Sequence, residues 1–127
     1  MSTAPANLPI TNLHLAAGSL NYIAAPIGTE WTVTEDQLSR TARKDGKLAR
    51  ITLWHHFTDG PMQINDYSRE VLSIVDMTLC YLNALYPTEG AQWYSDGLIR
   101  DNDSASVIAR AEFWLLTPEA ARRSGMA

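Results

Sequence analysis

His55 and His56 are the side chains best suited to acid–base or ligand chemistry in this chain, and Asp59, Asp66 and Glu70 follow them closely. Adjacent residues on a strand point to opposite faces, so the two imidazoles do not converge on one metal. No His-x-His, His-x-x-x-His or cysteine pair completes a ligand set, and neither a metal nor any other cofactor is expected. A hydrolase needs a nucleophile held by a base beside an oxyanion hole. Ser68 and Ser73 fall in a helical stretch without a nucleophile-elbow motif, and Gly60-Pro61 does not open a phosphate loop. These residues therefore point away from an enzyme. Cys80, the single cysteine, rules out an internal disulfide. Set between Leu79 and Tyr81, it reads as a buried small hydrophobe of a protein folded in a cytoplasm.

The elements that hold these residues follow from periodicity. Trp31 and Val33 alternate with Glu30, Thr32 and Thr34, the pattern of a strand. Residues 35–47 are polar and read as a long loop or hairpin tip with a turn at Asp45-Gly46. Residues 48–57 form the next strand. Ala49, Ile51, Leu53 and Phe57 lie on one face, and Arg50, Thr52, Trp54 and His56 on the other. From about Tyr67 to Tyr86 the apolar positions Val71, Val75, Leu79 and Leu82 recur at helical spacing. Asn65 or Asp66 is placed to cap this helix and Pro87 to stop it. Residues 92–99 read as a short strand or hairpin turning at Asp96-Gly97. Residues 104–117 read as a last strand whose odd face, Val107 to Leu115, is apolar. No internal repeat is visible.

The predicted fold is α+β in two layers: one long helix packed on a mostly antiparallel sheet, preceded by an N-terminal arm. The expected divisions are a neutral arm over residues 1–28, an α+β domain over 29–117 and a polar tail over 118–127. A chain of 127 residues has room for one such core. Its net charge of −4 argues against a general polyanion binder. Met1 to Thr29 contains no Asp, Glu, Lys or Arg. The stretch lacks a basic n-region and is interrupted by Pro5, Pro9, Gly18 and Asn21, so it reads neither as a secretory signal nor as a membrane span. Residues 11–25 are read as a short helix or an extended arm, and residues 11–28 are expected to be ordered by contact between subunits.

Two groups of residues are candidate contacts. Arg40, Arg43, Lys44 and Lys47, with Arg50, form the one basic cluster, on the polar loop and the strand that follows. The cluster suits a solvated hairpin tip or a contact with an acidic protein or passing DNA. Trp31, Trp54 and Trp114 fall on strands, and Trp54 and Trp114 lie opposite the faces expected to meet the helix. With Ile108 and Leu116 they would form an outward apolar sheet face, which calls for a partner or for the N-terminal segment to fold over it.

The stretch from Leu48 to Leu116 resembles the tail completion, or tail terminator, proteins of tailed bacteriophages. The likeness rests on the strand LARITLWHHF, the glycine-containing loop TDGPMQIN, the long helix DYSREVLSIVDMTLCYLNALY and the strand after an acidic turn, RDNDSASVIARAEFWLLT. The family opens with a helix and a loop before its first strand, whereas here that region is short, neutral and broken by Pro and Gly. The resemblance implies a structural virion protein of the tail and neck, assembled in the host cytoplasm without a catalytic residue. It would form a homo-oligomeric ring, commonly a hexamer, that caps the tail tube and joins it to the head–tail connector protein, with DNA passing nearby and no membrane contact. Two other readings stand beside it: a small cytoplasmic dimeric interaction or regulatory protein, and a small-ligand α+β enzyme or binding module with His55, Asp59 and Trp93 lining a pocket.

Overall fold

The computed structural model describes residues 8–23, 25–60, 63–64, 66–86, 90–101 and 103–125. The chain runs α1 (Leu8–Ile23), β1 (Thr29–Asp36), α2 (Arg40–Lys44), β2 (Lys47–Phe57), α3 (Arg69–Leu85), β3 (Gln92–Tyr94), β4 (Leu98–Arg100), β5 (Val107–Leu116) and α4 (Pro118–Arg123). The strands form one sheet in the order β1-β2-β5-β3, with β4 also paired to β5, and every pairing is antiparallel. The fold is α+β, as the periodicity requires.

Two long helices, rather than one, cover the sheet. Most of the described part of the expected arm is α1, which buries Leu13, Ala16, Ala17 and Leu20 at three- and four-residue spacing. Leu13, Ala17 and Leu20 share one core with Leu53, Val75, Leu82, Ala111 and Phe113, so residues 8–23 belong to the same body as residues 29–117. Contact with the chain's own sheet and with α3 orders this segment. Gly18 is exposed, where glycine costs the helix about 1 kcal/mol relative to alanine. Packing of the opposite face outweighs that cost.

Helix α3 buries Val71, Val75, Thr78 and Leu82. Its N-cap is Ser68, whose Oγ accepts from the Val71 N–H. Asp66 lies outside the helix, and Asn65 and Pro87 lie outside the described residues. Ser68→Ala should lower stability by about 1 kcal/mol, read from the midpoint of urea unfolding. Cys80 is exposed, not buried. One residue along from Leu79 is about 100° round the helix, so apolar neighbours in sequence do not share its face.

The polar segment before β2 contains α2, capped by Ser39, and the turn at Asp45-Gly46 follows it. The C-terminal tail forms α4, with Thr117 as N-cap and Pro118 in the first turn. Helix α4 packs where Gly46 has a φ of +87°. A Cβ there would lie 2.5 Å from Thr117 Oγ1 and 2.7 Å from the Ala120 methyl, so the close approach needs glycine.

An internal repeat emerges once the two long helices are compared. Leu20-Asn21, six residues, Gly28, two residues and Trp31 match Leu82-Asn83, six residues, Gly90, two residues and Trp93, each pair being 62 positions apart. Both leucines and both tryptophans are buried. Both glycines have positive φ. Asn21 accepts from the Trp31 N–H at 2.7 Å and donates to the Trp31 carbonyl at 2.9 Å. Asn83 does the same at Trp93, at 2.8 and 3.1 Å. Each Asn thus clamps the backbone of one outer strand, β1 or β3, as a neighbouring strand would. Ile51 and Phe113, also 62 apart, face one another across β2 and β5. An approximate half-turn about that pair exchanges β2 with β5, β1 with β3 and β4, and α1 with α3. The repeat escapes a linear reading because the units share few identities, α2 occurs in only one of them, and the edge strand of the second is interrupted between β3 and β4.

Candidate functional site

The sheet has two unlike faces. Trp31 and Val33 of β1, Ile51, Leu53 and His55 of β2, and Ala109, Ala111 and Phe113 of β5 form the face under the helices. Trp31 is therefore a core residue, 2% exposed, and not part of an outward face. Its ring lies parallel to His55, with centroids 4.3 Å apart. His55 Nδ1 shares a hydrogen bond with the Tyr67 hydroxyl at 2.7 Å. Burial pulls the His55 pKa down to about 4, with His56 and Arg100 adding to the effect. Burial also pushes the Tyr67 hydroxyl up to about 12, against the pull of Arg100, whose guanidinium sits over the Tyr67 ring at 5.5 Å. This cluster is packed into the wall of the core. His55 and Trp93, expected to line a pocket, are both buried, and the core between helices and sheet is filled by side chains such as Phe113, Leu53 and Leu82.

The opposite face carries Trp54 and Trp114 as expected, but it is a charged, cross-linked surface. Arg50 bridges Asp36 at 3.1 Å and Glu112 at 3.3 Å. Thr52 Oγ1 donates to Asp36. Trp54 Nε1 donates to Thr34 Oγ1 at 2.7 Å. The Lys47 ammonium and the Arg50 guanidinium each stand 4.7 Å from the Trp114 ring centroid. Flat aromatic faces attract cations, so Trp114 meets charge on its own sheet, while Trp54 is held by its indole N–H. Ile108 and Leu116 are buried, at 3% and 4% exposure. Leu116 lies under Ala120 and Ala121 of α4. The register shift between His55 and His56 brings His56 opposite Val107 and leaves Ile108 unpaired with β2. Of the basic cluster, Arg40, Arg43 and Lys44 are on α2, where Arg43 and Lys44 complement its C-terminal dipole. Lys47 opens β2.

Most of the exposed large apolar side chains lie on the helices, with Ile27, Leu48 and Ile99 elsewhere. A groove of about 570 Å³ runs between α1 and α3, lined among others by Leu15, Tyr22 and Ile23 of the first and Met77, Tyr81 and Leu85 of the second. Tyr22 is 90% exposed and Leu15 70%. No lining residue is charged. The signal in sequence was the second apolar stripe, Leu15, Tyr22 and Ile23 beside the buried Leu13, Ala16, Ala17 and Leu20, in a segment with no charge to form a wet face.

Among the described residues, no group of three or more His, Cys, Asp or Glu is placed to hold a metal, and no helix is long and apolar enough to cross a membrane. Comparison of the chain with protein-family models, curated proteins and solved structures finds no match to any of the three.

Proposed function

We propose that this protein is a structural assembly subunit of the tail-completion type, which caps a phage tail tube and offers a surface to the head–tail connector. The observation that carries this reading is the order of elements. The resemblance over residues 48–116 calls for a leading helix before the first strand, and α1 stands in that place. A body with an uncharged helical face on one side and a charged sheet face on the other has the distinct surfaces an assembly part needs. Arg40 and Arg43 of α2 would then be available to DNA or an acidic neighbour.

Electron microscopy of the purified protein mixed with tail tubes tests this. Rings seated on tube ends are expected, with no substrate turned over. A protein that binds neither tube nor connector overturns it. A pairwise interaction protein is the second reading, favoured by the apolar groove.

A further inference from the structure

The groove between α1 and α3 lies on the local half-turn axis. Its two walls are repeats of one another: Leu15 corresponds to Met77, Ser19 to Tyr81 and Ile23 to Leu85, each pair again 62 positions apart. The antiparallel order of the sheet makes the two helices antiparallel, so the walls present equivalent positions in opposite directions, with similar side chains at Leu15/Met77 and Ile23/Leu85 and different ones at Ser19/Tyr81. The arrangement of lining positions, though not every side chain, is kept by a half-turn.

An occupant must bring an uncharged apolar face. A charge placed against this groove would lose its water and find no partner. On this chain the sheet's open face is charged, and the N–H and carbonyl of Trp31 and Trp93 on the outer strands are held by Asn21 and Asn83. The face that matches the groove in chemistry is the groove itself. Its size sets the strength of the pair. Two helices about 24 Å long, roughly 9 Å apart and about 10 Å thick, present a footprint of some 24 by 19 Å. That is roughly 460 Å², below the ~800 Å² per partner of a standard stable interface and in the range of weak, reversible pairs. A twofold pair requires that residue i meeting j be matched by j meeting i. With a pseudo-symmetric groove, α1 on the partner's α3 is repeated by α3 on the partner's α1, which gives a closed layer of four helices.

We propose that the groove between α1 and α3 is covered by the same groove of a second copy of this chain in a twofold pair. The pairing stands on the repeat and the groove and does not depend on the ring reading. Sedimentation of the full chain from about 0.1 to 500 µM tests it, with Leu15→Glu and Met77→Glu as variants. Both positions are exposed, so the variants should keep the fold, which circular dichroism melting verifies. Wild type should dimerise reversibly, with a dissociation constant inside the sampled range, on the order of 10–100 µM. Each variant enters a twofold contact twice, so a weakening of at least about 100-fold is expected. Leu48→Glu, at an exposed apolar position outside the groove, should leave pairing unchanged. A wild type that stays monomeric at the top concentration, or a dimer that survives both groove variants, overturns the proposal. So does a monomer that loses binding to tail tube or connector on Leu15→Glu, since another protein would then be the occupant. Capping of tail tubes is scored on the same samples. Capping by a monomeric protein overturns the pairing alone, and intact pairing without capping overturns the ring reading alone.

Discussion

Lowering the pH from 6.5 to 4 is expected to remove about 3 kcal/mol of stability through His55 alone. The unfolded chain takes up a proton at this side chain below its ordinary value of 6.5, whereas in the fold the ring stays neutral down to about 4. Between those values the unfolded state binds more protons, so stability falls as the pH falls, and the loss is complete below about 4. The dependence fades within about one pH unit above 6.5, where the unfolded chain also leaves the ring neutral. The cause is position. His55 is 1% exposed, stacked on Trp31 and bonded to Tyr67, so a charged ring would be stranded in the core wall with Arg100 and His56 nearby. His55→Gln is neutral at every pH and keeps an amide to meet the Tyr67 hydroxyl. Urea unfolding of both proteins from pH 4 to 7.5 isolates the effect, because carboxylates titrating in the same range cancel in the difference. The wild-type curve should be steeper by about 3 kcal/mol over the window. Parallel curves would mean that His55 is hydrated in the fold.

Asn21→Ala is expected to cost about 2 kcal/mol, since each of the two hydrogen bonds to Trp31 contributes about 1 kcal/mol net. Asn83→Ala should cost a similar amount at Trp93. Asn21→Asp is the sharper probe. The carboxylate still accepts from the Trp31 N–H, but it loses the donor to the Trp31 carbonyl and places negative charge against that oxygen. It should recover no more than half the loss. The two clamps sit on opposite edges of the sheet, so the double variant should show additive losses within about 0.5 kcal/mol. Chemical denaturation of the four proteins measures this. A double variant no less stable than either single one would contradict independent clamps.

These two clamps also mark the limit of reading along the chain. Asparagine in a helical stretch is ordinarily a mild breaker, and Asn21 weakens the reading of α1 for that reason. In the fold its amide replaces a strand that the edge lacks. The value of the residue depends on a backbone ten positions away, across a turn. The same holds for the tryptophans. Their alternation places Trp54 and Trp114 correctly on the face away from the helices, yet it does not reveal what lies above them. The cations that cover Trp114 are Lys47 and Arg50, and the anion that steadies Arg50 from β5 is Glu112, 62 positions along the chain.

The sequence by itself determined the long helix α3, the strand alternation of β1, β2 and β5, the apolar odd face of β5 and the α+β class. Helix and strand periods come from local backbone geometry, and a side-chain pattern over ten to twenty residues records them directly. Only the tertiary structure decided that residues 8–23 are a second core helix, that Trp31 is buried while Cys80 is not, that the sheet's open face neutralises itself, and that most of the uncovered large apolar side chains lie between the helices. Each of these depends on which distant element arrives at a given face. Burial and charge compensation are properties of pairs of surfaces, and no single stretch of chain carries the second surface with it.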